Sequence, residues 1–207
     1  SLLMSSLLIL YPELFKSSSK FKRHVQKYIN NPVDPKDFEI FFLHDSNSHI
    51  KNITAELSNL NIGGQIESIN NVEFDYAIIF DDGECFETEM NFLKQSNIKC
   101  RLVKILITRV INIHKEPELH SNRKSSTYEY IGRGSYWGNP HSMFENGESR
   151  EEVIRKFKYD FDNDKFPNKS KSEVVKLAGK RLGCFCKPAA CHGDVLADYL
   201  NSLDDGD

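Results

Sequence analysis

The first 107 residues alternate two periods of hydrophobicity, and this alternation restricts the fold more than any single motif. Short apolar runs at Leu7 to Leu10, Phe38 to Leu43 and Phe74 to Phe80 have the character of buried strands. Each is followed by apolar residues at helical spacing: Phe21, Val25, Tyr28 and Ile29, then Ile50, Ile53, Leu57 and Leu60, then Phe86, Met90 and Leu93. Cys100 to Ile107 returns to strand, and Gly63-Gly64 reads as a chain break. Buried strands joined by helices make a parallel sheet, because parallel neighbours need a crossover long enough to hold a helix. The fold class expected is α/β: a Rossmann-like parallel sheet with flanking helices, plus a smaller α/β C-terminal region that carries the motifs. The two parts are placed at 1–107 and 108–207. The polar stretch Ile113 to Thr127 has no apolar period and is read as a loop or linker at the boundary.

Charge and composition exclude several classes. The 27 Lys and Arg against 30 Asp and Glu give a formal charge of -3, so no global cationic field supports nucleic acid as a partner. No apolar run approaches the ~20 residues of a membrane span. Met4-Ser-Ser-Leu-Leu reads as a natural start, with the preceding Ser-Leu-Leu foreign to it and no export signal. Five cysteines without such a signal point to a reducing cytoplasm, the host's if the chain is phage-encoded, where clustered cysteines mean metal or catalysis more often than disulfides. Cys85 and Cys100, isolated in the sequence, are expected to be ordinary buried residues.

Ligands of parallel sheets gather beyond the carboxyl ends of the strands, where His44, Asp45, Asp81, Asp82 and Glu84 are expected. Turn and capping chemistry is the preferred role for Ser46 and Asp82. Phe74-Asp-Tyr-Ala-Ile-Ile-Phe-Asp-Asp-Gly83, a helix, and Ile98 to Lys104 make this half similar, in part, to the SLOG-type Rossmannoid superfamily of nucleotide-binding domains. The glycine-rich phosphate loop of that superfamily is missing. His44-Asp-Ser-Asn47 stands in its place.

The second half carries two dense blocks. Tyr130-Ile-Gly-Arg-Gly-Ser-Tyr-Trp-Gly-Asn-Pro140 packs three glycines, a proline and the single tryptophan into an irregular segment. Within it Arg133 offers a planar fork to a phosphate or carboxylate, while Trp137 and Pro140 suit a core anchor and a turn. Ser149-Arg-Glu-Glu152 is a capping box opening a helix with Val153, Ile154, Phe157 and Phe161 inward, and it puts Arg150 where the helix dipole disfavours a cation. A bound anion or a neighbouring carboxylate would hold that arginine. A short helix over Ser172 to Ala178, closed by Gly179, leads to the second block, in which a strand from Arg181 to Cys186 runs through a Lys187-Pro188 turn into a helix whose first turn is Cys191-His192-Gly193-Asp194.

Together these blocks resemble an uncharacterised phage and bacterial family known as domain of unknown function 4326, over about Thr108 to Leu200. The resemblance carries a motif set but no activity: Gly132, Arg133, Ser135, Trp137, Gly138, Asn139, Pro140, Arg150, Cys184, Cys186, Lys187, Pro188, Cys191, His192, Gly193 and Asp194.

Three chemistries remain open. In the first, a hydrolase or transferase of nucleotide or modified-base metabolism works with Cys191, His192 and Asp194 at an anion-receiving helix terminus. Its phosphorylated ligand is bound by Gly132, Arg133, Ser135, Trp137, Asn139, Arg150, Lys187 and Gly193, and no cofactor is needed. In the second, zinc is held by Cys184, Cys186, Cys191 and His192, in a structural or nucleic-acid-binding module. The spacing differs from the usual knuckle, and adjacent Cys191 and His192 point poorly at one ion. In the third, the protein is a non-catalytic nucleotide sensor or partner-binding protein with Cys184 in the core.

Overall fold

A computed structural model describes residues 4–119 and 123–207, so the leader ahead of Met4 and part of the polar linker lie outside the described residues. The chain forms two compact units, Leu106–Leu203 and the remainder, Ser1–Ile105 with Asp204–Asp207.

In the first unit, β1 (Met4–Leu10), β2 (Asp37–Phe42), β3 (Leu60–Gln65), β4 (Tyr76–Asp81) and β5 (Lys99–Lys104) form one parallel sheet in the order β3-β2-β1-β4-β5. Three helices flank it, α1 (Ser18–Ile29), α2 (His49–Glu56) and α3 (Glu87–Gln95). The central strands β1 and β4 are buried on both faces, which is why Leu7 to Leu10 and Ala77 to Phe80 read as unbroken apolar runs. On one face Phe21 of α1 stacks on Phe80, and on the other Leu93 of α3 packs with Leu8, Leu10 and Ile79. Asp204, Asp205 and Asp207 lie along α1, where Asp204 pairs with Arg23 at 2.7 Å and Asp205 with the buried Lys20 at 2.7 Å.

The helix expected through Leu57 and Leu60 ends at Glu56, and Leu60 opens β3. Gly63 does not break the chain. It lies in that strand because a Cβ there would sit 2.6 Å from the Phe41 ring.

The second unit is built on β6 (Arg109–Asn112), β7 (Tyr128–Tyr130) and β8 (Arg181–Cys184), all parallel, with β8 in the middle. α4 (Met143–Asn146), α5 (Arg150–Asp162) and α6 (Gly193–Ser202) complete it. The polar stretch after Asn112 belongs to this unit and forms two 3-10 turns, Ile113–Lys115 and Pro117–Leu119. Ser149 caps α5 as its motif requires, its Oγ accepting from Glu152 N at 3.2 Å. The short helix expected over Ser172 to Ala178 is present as a 3-10 helix, Lys171–Leu177. Phe157 and Phe161 of α5, Val174, Leu177, Leu182, Leu196 and Trp137 form one core.

Candidate functional site

The site begins where the middle strand ends. Cys184 is the last residue of β8, the chain bends at Phe185, and a turn closed by Ala189 N donating to Cys186 O at 2.8 Å returns it toward the start of α6. This fold-back brings the sulfurs of Cys184, Cys186 and Cys191 within 4.8 Å of one another, with Cys184 and Cys191 buried and Cys186 partly exposed. Hydrogen bonding between the Cys191 and Cys184 thiols draws Cys184 toward the thiolate, helped by the Cys186 and Lys187 N–H groups. The same bond, with burial second, drives Cys191 the opposite way. Within the pair the shared hydrogen bond favours charge on Cys184 and the proton on Cys191.

The expected anion-receiving terminus of α6 is already satisfied by the protein. Gly193 N donates to Cys191 Sγ at 3.3 Å, Asp194 N to Cys191 O at 2.9 Å and Val195 N to His192 O at 3.0 Å. Asp194 accepts from Cys191 N at 3.0 Å and is ion-paired with Lys187. Lys187 and Asp194 thus close the turn on each other.

His192 has a different task from the one its position suggests. Its Nε2 lies 2.8 Å from Ile131 O and 3.0 Å from Trp137 O, so the ring carries its proton there and donates to both carbonyls. Nδ1 is left 3.5 Å from Cys191 Sγ, and burial pushes the imidazole pKa down, keeping it neutral. The ring ties both ends of segment 131–137 to the start of α6. His192 is absent from the group formed by the three sulfurs.

That pinned segment explains the first motif block. Ser135 N and Oγ both donate to Gly132 O, at 3.1 and 2.6 Å, and Gly138 N donates to Ser135 O at 3.0 Å. The backbone is so tight that a Cβ on Gly138 would lie 2.7 Å from Gly132 O. Trp137 is buried in the core, and Asn139 links the loop to α5 through Val153 O at 3.0 Å.

The two motif blocks meet across a cleft of about 280 Å³. Its wall takes Gly132, Arg133 and Asn139 from the loop, Arg150 and Ile154 from α5, and Cys184, Cys186, Cys191 and His192 from the second block. Of the residues expected at a ligand, Ser135, Trp137, Lys187, Gly193 and Asp194 fall outside the lining, because each is spent on the turns, the core or the helix start. The structure adds Phe144 and Phe185, whose side chains are 86% and 47% exposed at the cleft. Exposed aromatics beside both motif blocks were the sequence signal for them.

Arg133 donates to Ser142 Oγ at 2.8 Å and lies 5.5 Å from the Phe144 ring centre, and Arg150 donates to Ala190 O at 3.2 Å. Among the described residues no carboxylate pairs with either arginine. In the first unit, by contrast, the carboxyl-edge groups are committed: Asp45 accepts from Ile50 N, Lys51 N and the Tyr11 hydroxyl, and Asp82 from Glu84 N and Cys85 N.

The comparisons divide the chain at 111/112, six residues beyond the division between the two compact units. The Minimal SLOG domain pattern matches residues 4–111, more than half the chain. The chain belongs to the minimal SLOG family. Behind the SLOG domain, residues 112–202 match Domain of unknown function (DUF4326). A relative from Enterobacteria phage T4, described as an uncharacterized 12.4 kDa protein in the nrdA-td intergenic region, is 40% identical over 84 residues, spanning 40% of this chain and 76% of its own length. No solved structure matches the chain. The SLOG sheet is the Rossmann-like half, and the cleft lies in the DUF4326 region. Among the described residues no helix is long and apolar enough to cross a membrane.

Proposed function

We propose that the DUF4326 cleft binds a phosphorylated, nucleotide-related ligand in the cytoplasm, with Arg133 and Arg150 on the phosphate and Phe144 against the ring. One observation carries this reading: two guanidinium groups without carboxylate partners share one cleft with exposed aromatic side chains. The cleft's size suits a mononucleotide better than a polymer, and the partial likeness of the other half to nucleotide-binding domains agrees in ligand class.

Binding or sensing is better supported than covalent catalysis through Cys191. A nucleophile needs a thiolate and a free base. The hydrogen bond to Cys184 and burial push the Cys191 thiol up, away from the thiolate, and His192 spends its Nε2 proton on two carbonyls.

A thermal-shift screen of the full chain against nucleoside mono- and diphosphates, sugar phosphates and free nucleosides tests the reading. Phosphorylated ligands should raise the midpoint, and Arg133→Ala and Arg150→Ala should abolish the rise while leaving the unliganded midpoint within about 2 °C. Equal shifts with free nucleosides, or shifts untouched by both substitutions, would reject it.

A further inference from the structure

The three thiols have a chemistry of their own that does not depend on a nucleotide. We propose that Cys184, Cys186 and Cys191 together bind one zinc ion through three thiolates, with its fourth coordination position open to the cleft.

The geometry is close to what such an ion needs. Zinc–sulfur bonds of ~2.3 Å place tetrahedral sulfurs ~3.8 Å apart, and these three already lie within 4.8 Å of one another, so closure takes shifts of roughly 1 Å or less. The residues come from two supports of different kind. Cys184 ends the middle strand of the sheet, and Cys191 lies two residues ahead of the first residue of α6, so two ligands are fixed by the core while Cys186 sits on the turn between them. Backbone N–H groups face the sulfur, as Gly193 N does at 3.3 Å from Cys191 Sγ, and such outer hydrogen bonds spread thiolate charge. Three thiolates and a dication leave one net negative charge, which Arg133 and Arg150 on the cleft wall can balance.

The fourth position follows from exclusion and from where the sulfurs face. Among the described residues no fourth histidine, cysteine or carboxylate joins the group. The neighbouring imidazole commits its Nε2 to the carbonyls of Ile131 and Trp137, and its Nδ1, though 3.5 Å from Cys191 Sγ, does not fall within the group of mutually close sulfurs. All three cysteines line the cleft, so water or an oxygen of a bound anion would complete the tetrahedron. A closed structural site has four protein ligands, whereas three ligands beside a cavity leave the ion able to polarise what it meets.

Metal-depleted full chain, purified under reduction and titrated with Co²⁺, should bind one equivalent, with sulfur-to-cobalt charge-transfer absorption and tetrahedral d–d bands. Zn²⁺ should displace the cobalt. Cys186→Ser should weaken binding at least tenfold, with the fold checked by Trp137 fluorescence, because Cys186 is the only partly buried thiol of the three, at the edge of the core, and is the variant least able to unfold the unit. His192→Gln and Cys85→Ser should leave the charge-transfer band in place. Added azide should move the d–d bands of an open site, and unmoved bands would show a fourth protein ligand and overturn the open position. Substoichiometric cobalt, a spectrum without sulfur charge transfer, or a band that survives Cys186→Ser would overturn the site itself. The cobalt titration uses no nucleotide and the thermal-shift screen can be run on metal-depleted chain, so this site and the phosphate reading fail independently of each other.

Discussion

Replacing His192 by alanine separates a structural imidazole from a catalytic one. The substitution strips a shared donor from Ile131 O and Trp137 O, both on residues buried in the core. A buried acceptor left without a partner costs roughly 1–3 kcal/mol. Because His192 borders the cleft, water can enter behind it, and the lower end of that range applies to each carbonyl. The imidazole also meets the Phe157 ring edge-on at 5.0 Å, an aromatic contact of about 0.5–1.5 kcal/mol. The total is about 2.5–3.5 kcal/mol. With a denaturant slope of roughly 1.5 kcal/mol per molar, the urea midpoint of the second unit should fall by about 2 M. The chain's single tryptophan, Trp137, is one of the residues His192 holds, so its fluorescence follows this unit alone. His192→Gln places an amide N–H near the same carbonyls and should recover about half the loss. A drop below about 1 kcal/mol in His192→Ala, with the transition still cooperative, would refute the argument and return the ring to the candidates for proton transfer.

The same imidazole has a pKa lowered by burial, so the unfolded chain takes up its proton first as pH falls. His192's contribution should be complete above the unfolded value of ~6.5 and decline below it, and His192→Gln should flatten that part of the stability profile. Gly138→Ala forces a Cβ against the Gly132 carbonyl at 2.7 Å, where backbone held at both ends cannot swing aside. It should cost about 1–3 kcal/mol in the same tryptophan melt, and a change under about 0.5 kcal/mol would show the loop to be looser than described. In the first unit the Arg23 guanidinium holds the Asp204 carboxyl well below the usual carboxylate range. Followed by carboxyl NMR shifts, Asp204 should stay ionised as pH drops through ~3.9, its contribution to stability being lost only at the lower folded value. Arg23→Ala should bring its titration back up toward ~3.9. Ordinary titration in the intact protein would mean that the tail is not docked on α1.

The sequence displayed most of the first unit because its strands are buried on both faces and its helices on one, and burial leaves periodic traces. β3 left none. Leu60–Gln65 carries two glycines, one chosen for the Phe41 ring pressed against it, and a glycine kept for close approach looks in sequence like a glycine kept for a break. In the second unit β6 and β7 have four and three residues, too short for any period to register. Motif density pointed to Arg133, Arg150 and the cysteines, which the fold brings to one cleft. It gave no sign of what His192 touches, since that ring meets carbonyls 61 and 55 positions upstream, and backbone acceptors carry no residue signature. Lys187 and Asp194 answer each other across seven residues, so two charges that suggested a ligand are each other's partner.

The two sides of the cleft differ in kind. One jaw is anchored at the end of β8, a strand paired on both edges, and the opposing jaw carries side chains such as Arg133 and Phe144 that project to solvent. The anchored jaw therefore resists change, since moving Cys184 means moving the sheet. On the exposed jaw a substitution meets water rather than core. A lineage inheriting this scaffold can vary Arg133 and Phe144 while the sulfur-bearing side stays as it is.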